Sequence, residues 1–298
     1  MKTHFSLLTA LLLMIAGVMV SCEKVEDPAE YRLKKILHYS NSSSDSPTDG
    51  IEYTYNQEGN VILEEYFDYS KANPLSKYVE YEYKGSENTK MSVFEGKDVL
   101  VLSWYVNYTY ANNQLIREDY RRATSDTDGW LLSSTHYEYK DNNKIREYIV
   151  DPSYGIVDEK KFTYDNQNRL IHEENDETDA NKYRHTKHIF DNEDRKIKSE
   201  YYNISEELLE YIDIIYQGRS RLPIKNIHFD KAGNQTLQYF HYYDKKGNLS
   251  ETRFEDECPL FKRKFDGKLL IEEILFLDPV RYSSCIEDEK KKYVYEKK

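Results

Sequence analysis

Residues 162–174, FTYDNQNRLIHEE, decide the fold. Before the polar centre the aromatic residues Phe162 and Tyr164 alternate with Thr163, and after it an aliphatic residue opens a second segment that ends in acids. Alternation with a period of two is typical of a β-strand, and Asn-rich centres supply the positive φ angles that tight turns need. This stretch therefore predicts a β-hairpin.

The same pattern recurs along most of the chain, with two aromatic or similar residues one position apart before each turn. The second residue of the pair falls at positions 55, 83, 110, 139, 164, 190, 216, 243, 265 and 295, a spacing of 22 to 30 residues. In five copies an aliphatic residue follows six positions later, which predicts one turn length and one register. We therefore expect about ten hairpins whose aromatic pairs align on one face of a sheet.

The repeats predict an all-β fold of tandem β-hairpins that form an extended twisted antiparallel sheet, a β-meander or a partial shell. The domain covers residues 31–298. The connections between hairpins vary in length and content, so binding specificity is expected on that side of the sheet. Two local features depart from the pattern: residues 205–211, SEELLEY, suggest a helix, and Pro223 predicts a sheet edge or a bulge.

Composition favours a sheet with a thin core. The 298 residues include 29 Tyr but only 11 Gly and 7 Pro, and Tyr suits strands because its ring covers apolar area while its hydroxyl stays wet. The formal net charge is −12, and removal of residues 1–21 takes away Lys2 and leaves −13. Nucleic acid is therefore not an expected partner, and the spread of charge is typical of a soluble surface.

The N-terminus predicts export and lipidation. Residues 1–21 combine Lys2 with an apolar run too short for a membrane span, as in a secretory signal peptide. Residues 19–22, MVSC, resemble the bacterial lipoprotein signal, with Met19 where that family usually has Leu, so Cys22 would be the lipidated first residue. Residues 22–30 form an acidic tether similar to the export tags of surface lipoproteins in Bacteroidota. This resemblance implies an outer-membrane lipoprotein at the cell surface, or on the periplasmic leaflet.

Residues 162–171 and 242–251 resemble the YD repeats of Rhs-type wall and toxin proteins. In those repeats a Tyr-Asp pair precedes a Gly-containing turn and an Arg-Leu or Asn-Leu strand start. Several units here lack the Asp, and the turn Gly is present at Gly59 and Gly247. The chain is more similar to short YD-repeat-like lipoproteins of gut Bacteroidota. The resemblance implies the hairpin-repeat fold and little about activity.

Acids recur at one place in the second strand of the hairpins, as at Glu64 and Glu118. A row of carboxylates would bind cations or a basic partner, but Arg117 and Arg146 lie close by and favour charge pairing on a wet face. His185 and His188 are three apart in a strand, so their side chains point to opposite faces, and we expect no metal site even with His172 nearby. Asp126 and Asp128 resemble only a fragment of a calcium loop. No cofactor is expected.

Cys258 and Cys285 are 27 residues apart, about one repeat, so they are candidates for a disulfide that joins the last units, with two free thiols as the alternative. Trp104, Trp130 and Tyr154 lie in or near variable connections and are candidates for stacking on sugar rings, with ordinary packing as the alternative. No catalytic motif is present, so an enzyme is not expected. The sequence favours a non-catalytic envelope module that binds a glycan or another envelope protein. A structural spacer or scaffold without a small ligand, and a glycan-active enzyme, are the alternatives.

Overall fold

The computed structural model describes residues 30–40, 43–96, 99–123, 129–255, 258–276 and 285–297. One sheet of 20 strands contains the regular structure of these ranges. No helix in them is long and apolar enough to cross a membrane. The strands are Tyr31–Tyr39 (β1), Asp49–Tyr55 (β2), Val61–Asp68 (β3), Leu75–Lys84 (β4), Glu87–Glu95 (β5), Val101–Ala111 (β6), Gln114–Arg122 (β7), Trp130–Lys140 (β8), Asn143–Asp151 (β9), Gly155–Tyr164 (β10), Leu170–Asn175 (β11), His185–Phe190 (β12), Lys196–Tyr202 (β13), Leu208–Tyr216 (β14), Pro223–Asp230 (β15), Gln235–Tyr243 (β16), Leu249–Phe254 (β17), Cys258–Asp266 (β18), Leu269–Phe276 (β19) and Glu287–Lys297 (β20).

The sheet closes on itself as an antiparallel barrel. Each strand pairs with the next along the chain, and β20 pairs back with β1 from Tyr31↔Lys297 to Tyr39↔Lys290. The prediction of an open twisted sheet or partial shell was therefore wrong. Closure satisfies the hydrogen-bonding groups that two free edge strands would leave unpaired.

The two termini together build the tenth hairpin of the repeat. β20 carries the aromatic pair Tyr293 and Tyr295 of a first strand, and β1 supplies the second strand that β20 lacks along the chain. Leu33 pairs with Tyr295 and Lys35 pairs with Val294, so Lys34 is an extra residue beside the second aromatic residue, as in the other hairpins. The sequence showed the first half of this unit, but its second half lies at the far end of the chain.

A β-bulge recurs beside the second aromatic residue in every hairpin of the described chain. In β10–β11, for example, Thr163 pairs with His172 and Tyr164 pairs with Leu170, so Ile171 is unpaired. Bulges bend the strand that carries them and increase its twist, which curves a sheet enough to close it. The extra residues are Ile62, Thr89, Ile116, Ile145, Ile171, Ile197, Ile224, Ser250 and Ile271.

The predicted register holds in three of the five copies, where Tyr55 pairs with Val61, Tyr164 with Leu170 and Tyr243 with Leu249. Tyr139 pairs instead with Lys144 and Tyr216 pairs with Pro223, so the six-residue offset does not mark one turn length in every copy. Pro223 lies next to the extra residue Ile224, which confirms the predicted bulge. The helix suggested at residues 205–211 is wrong, because β14 begins within it as a paired strand.

The aromatic pairs share one face of the sheet, as predicted, and we assign this face to the barrel interior. Val93 and Val106, which are 1% and 0% exposed, lie on it, whereas Glu80, Glu82 and Lys84 on the opposite face of β4 are exposed. Interior and exterior residues alternate along every strand of a barrel, and side chains crowd the concave side. We call the two faces the inner face and the outer face.

The barrel has two different ends. The turn rim comprises the connections 56–60, 85–86, 112–113, 141–142, 165–169, 191–195, 217–222, 244–248 and 267–268 together with Tyr31 and Lys297. The loop rim comprises the connections that join consecutive hairpins, from 40–48 to 277–286, and they vary in length as expected. The chain ends of the barrel therefore lie on the turn rim.

Candidate functional site

Trp130 and Tyr154 lie together on one arc of the loop rim. Trp130 is the first residue of β8 and Tyr154 immediately precedes β10, while β9 pairs with both strands. Their exposed fractions, 75% and 83%, are far above those of the other ring side chains on the barrel. Trp104 is half-buried in β6 and pairs with Arg122, which in turn pairs with Trp130.

Exposed aliphatic side chains extend this aromatic pair into a patch. Leu132, Ile156 and Val157 are each about half exposed. Leu132 and Val157 are the extra residues of two bulges. Leu132 lies between the partners of Tyr120 and Arg121, and Val157 lies between Ile156 and Asp158, which pair with successive residues of β9. A bulge takes a side chain out of the regular alternation. We name Trp130, Leu132, Tyr154, Ile156 and Val157 the loop-rim patch. Exposed apolar side chains grouped near one part of a rim are candidates for an interaction site.

The inner face carries a row of tyrosine hydroxyls that donate to carboxylates. Tyr66 donates to Glu64 at 2.7 Å, and Tyr120 donates to Glu118 at 2.7 Å. Tyr137 reaches the second oxygen of Glu118 at 3.1 Å from the next hairpin. The sequence signal of this row is an acid followed two positions later by Tyr, which was not recognised.

Burial makes the inner tyrosines weaker acids, because it raises the pKa of their hydroxyls. Burial raises the pKa of Tyr53 to about 12, with the charge of Glu64 as a second cause. Burial likewise raises the pKa of Tyr108 to about 12, helped by Glu118. These two hydroxyls therefore keep their protons across the physiological pH range, and that of Tyr108 points to Met91 Sδ, 3.9 Å away.

Charge pairing dominates the outer face. Arg146 bonds Glu138 at 2.9 Å across β8 and β9, as expected for cross-strand pairing. Arg117 instead pairs with Asp119, 2.7 Å away on its own strand, and Arg253 pairs with Glu251 in the same way at 2.9 Å. The predicted cross-strand pairing is therefore confirmed for Arg146, whereas Arg117 and Arg253 pair along their own strands, and all three use acids of the outer face. Glu64 and Glu118 point inward and form the separate tyrosine-bound row.

The histidines are placed on both faces. His188 lies on the inner face between Ser199 and Glu173, at 3.0 Å from each, while His185 lies on the outer face. His172 stands edge-on to His185 with ring centroids 5.0 Å apart. Within the described ranges no group of three or more His, Cys, Asp or Glu side chains has a geometry that could hold a metal ion.

A cavity of about 740 Å³ opens at the loop-rim ends of β1 to β4. His38, Asp49 and Asp68 line it, and His38 Nδ1 lies 2.7 Å from Asp49 Oδ1. This cavity is several strands away from the loop-rim patch. In the same lining Ser70 Oγ donates to Asp68 Oδ1 at 2.6 Å and Thr48 Oγ1 donates to Asp49 Oδ2 at 3.0 Å.

Cys258 and Cys285 are bonded to each other in the structure, with their Cα atoms 5.2 Å apart. Cys258 opens β18 and Cys285 precedes β20, so the bond ties the last two loop-rim connections. The signal peptide, Cys22, and the Asp126 and Asp128 pair all lie outside the described residues.

No family model and no curated protein matches the chain. Among solved structures, the Tc holotoxin pore of Photorhabdus luminescens aligns with 76% of this chain at 13% identity and a TM-score of 0.44. The chain spans only 13% of that toxin chain. A porin-like protein from Bacteroides uniformis aligns with 91% of this chain and 98% of its own length, at 12% identity and a TM-score of 0.37. A porin-like protein from Bacteroides vulgatus aligns at 10% identity over 89% of this chain and 98% of its own, with a TM-score of 0.31.

Proposed function

We propose that the protein is a non-catalytic envelope lipoprotein, tethered through acylated Cys22, that binds a glycan with its loop-rim patch. The observation that carries the proposal is the position of this patch. Tyr31 and Lys297 pair on the turn rim, so a tether that enters at Tyr31 holds that rim near the membrane. The loop rim then stands about 30 Å further out, the length of a nine-residue strand.

The character of the patch supports a sugar ligand. Sugar rings present apolar C–H faces that stack on aromatic rings, and two rings on either side of β9 offer a platform on a rigid sheet. Acidic and amide side chains of the adjoining connections would accept and donate hydrogen bonds at the ring edges.

Charge on both faces of the sheet supports a barrel that stands in water above the membrane. A strand that crosses a bilayer keeps an apolar band on its lipid side. Here Glu64 and Glu118 occupy one face while Glu80, Glu138 and Arg146 occupy the other. An outer-membrane lipoprotein at the cell surface is the location we propose.

A glycan array tests the binding site. Mature protein, residues 22–298, should bind a subset of glycans, and the double variant Trp130→Ala and Tyr154→Ala should lose at least tenfold in affinity, because each lost stacking contact weakens the complex. Tyr183→Ala, at another position near the loop rim, is the matched control and should bind as the parent does. Equal binding by the double variant, or capture of an envelope protein in place of any glycan, would reject the glycan site and favour the protein-binding or scaffold alternatives.

A further inference from the structure

Hydrogen bonds join neighbouring turns along two stretches of the turn rim. Side chains of one turn bond the next: Asn143 reaches Asn168 at 3.1 Å, Arg169 reaches Asp194 at 2.8 Å, and Arg195 reaches the Gly218 carbonyl at 2.6 Å. Further along, Asn248 donates to the Gly267 carbonyl at 2.9 Å and Lys268 donates to the Lys246 carbonyl at 2.8 Å. The side chains on this rim therefore stand on a fixed platform.

Four cations project from one arc of this platform. Arg219 and Arg221 belong to the connection 217–222, and Lys245 and Lys246 belong to the connection 244–248. All four are exposed, and among the described residues no carboxylate lies within ion-pair distance of them. By contrast, the nearby Arg195 pairs with Asp191 at 2.7 Å.

The two connections touch each other, so the cations form one surface. A Cβ on Gly247 would lie 3.6 Å from Cδ1 of Leu222, and Leu222 itself is 40% exposed. Asp244 is the one acid within these two connections, and its oxygens are occupied by the backbone of Lys246 and by the amides of Asn248. We call Arg219, Arg221, Leu222, Lys245 and Lys246 the basic arc.

The charge of the arc is opposite to that of the chain. The whole protein carries −12, and acids such as Asp176, Glu177 and Glu255 crowd the loop rim. An uncompensated basic surface around an apolar side chain is the composition of membrane-surface segments, where Lys and Arg meet anionic headgroups and the apolar group enters the interface.

The position of β1 on the turn rim favours a lipid surface as the partner of the basic arc. β1 begins on the same rim at Tyr31, and the eight residues between it and Cys22 allow a reach of about 30 Å at full stretch. The arc begins only a few strands from β1, because β16 and β17 follow β20, β19 and β18 around the barrel. A membrane that holds Cys22 therefore lies within reach of the arc.

We propose that the basic arc docks on anionic lipid headgroups and fixes the barrel upright on the membrane that anchors it. This inference rests on the proposed tether for its biological setting, but the contact itself needs no acyl chain. A second, electrostatic attachment turns a flexibly held barrel into an oriented one, with the loop-rim patch facing outward.

Vesicle co-sedimentation tests the arc without the lipid anchor. The probe protein is the mature chain with Cys22→Ser, which retains all 20 paired strands. It should sediment with vesicles of phosphatidylcholine mixed with phosphatidylglycerol and stay in solution with phosphatidylcholine alone, and high salt should release it. The variant with Ser at positions 219, 221, 245 and 246 should bind at least about tenfold more weakly, because each basic residue near an anionic surface contributes to the attraction.

The matched control removes four cations elsewhere, with Ser at positions 71, 182, 187 and 231 on or near the loop rim, and should sediment as the parent does. Equal losses in both variants would show a response to net charge alone and would overturn the inference, as would absence of the parent from anionic vesicles. Circular dichroism and the melting temperature establish that each variant is folded. Mass spectrometry of the native N-terminus tests acylation of Cys22 separately, so failure of the tether and failure of the arc give different results.

Discussion

At the scale of single residues, an Asp or Asn at the start of a turn closes several connections in the same way. Asp165 Oδ1 accepts the backbone N–H groups of Gln167 and Arg169 at 2.9 and 3.0 Å, and its other oxygen holds the Arg169 side chain at 2.6 Å. Asn168 adopts the positive φ of 60° that completes the turn. The Tyr-Asp pair and the later Arg or Asn of the repeat are thus parts of one clamp. The same clamp closes the turns that begin at Asn56, Asp191, Asn203, Asp230 and Asp244.

These clamps predict a specific dependence of stability on pH. The backbone N–H of Arg169 lowers the pKa of Asp165, and the amide of Asn234 lowers that of Asp230. In Asp191 and Asp244 burial raises the pKa, but backbone and side-chain hydrogen bonds outweigh it and the pKa is again lowered. A carboxyl with a lowered folded pKa stabilises the fold fully above its unfolded pKa near 4, and this contribution is lost as the pH falls through the folded value.

Replacement of these four Asp residues by Asn should flatten that dependence. Asn56 and Asn203 make the same turn, so Asn keeps the backbone clamp while it removes the titrating proton. Urea unfolding between pH 5 and pH 2 should give a parent curve that falls more steeply than the variant curve. Parallel curves would show that the turn carboxylates do not couple folding to protonation.

At the scale of elements, tyrosine hydroxyls tie several hairpins to the one before them. Tyr243 donates to the Pro223 carbonyl at 2.8 Å and Tyr164 donates to the Lys144 carbonyl at 3.0 Å, each at the bulge of the preceding hairpin. Tyr295 makes the same bond to Leu270 at 2.9 Å. A bulge leaves backbone groups outside the strand ladder, and the hydroxyl satisfies one of them.

Tyr243→Phe should lower the free energy of unfolding by about 1 kcal/mol, because it removes one half-buried hydrogen bond and leaves the Pro223 carbonyl without this donor. The ring and its packing remain. Tyr154→Phe, on a side chain that is 83% exposed, is the control and should leave stability unchanged. Denaturant unfolding gives the free energy of unfolding of each variant. A loss of the same size in Tyr154→Phe would show that the Tyr243–Pro223 hydrogen bond does not stabilise the fold.

The hairpins, the common aromatic face and the variable rim could be predicted because each depends on local sequence. Alternation at Phe162 and Tyr164 with Asn in the turn is enough to specify a hairpin. The bulges were missed since Ile171 and Ile145 look like ordinary strand residues, and only pairing shows which residue is extra. The separation of Glu64 from Glu65 onto different faces was missed for the same reason. The loop-rim patch brings Trp130 near Tyr154 only through the order of β8, β9 and β10.

At the scale of the whole molecule, closure depends on one pair of strands from opposite ends of the chain. β1 lies between β20 and β2, and Arg32 bonds Glu296 at 2.6 Å across the junction. Without this junction β1 and β20 would each present an unpaired edge, and removal of β20 would expose β19 instead. Exposed edges recruit other chains, so closure also protects the protein from association.

Deletion of residues 287–298 should therefore increase self-association relative to the parent, as measured by light scattering and size-exclusion chromatography. A circular permutant provides the control. It joins residue 297 to residue 31 through a short linker and opens the chain between Ser153 and Tyr154, and it keeps all 20 strands. It should remain monomeric with near-parental stability, because Tyr31 and Lys297 are already paired neighbours. A monomeric deletion variant would show that the junction is dispensable.

The composite tenth hairpin also places one slow step in folding. β1 and β20 pair across more than 250 residues of sequence, and contacts of very long sequence separation form slowly. Until this pair forms, one side of β1 lacks its partner and can recruit another chain.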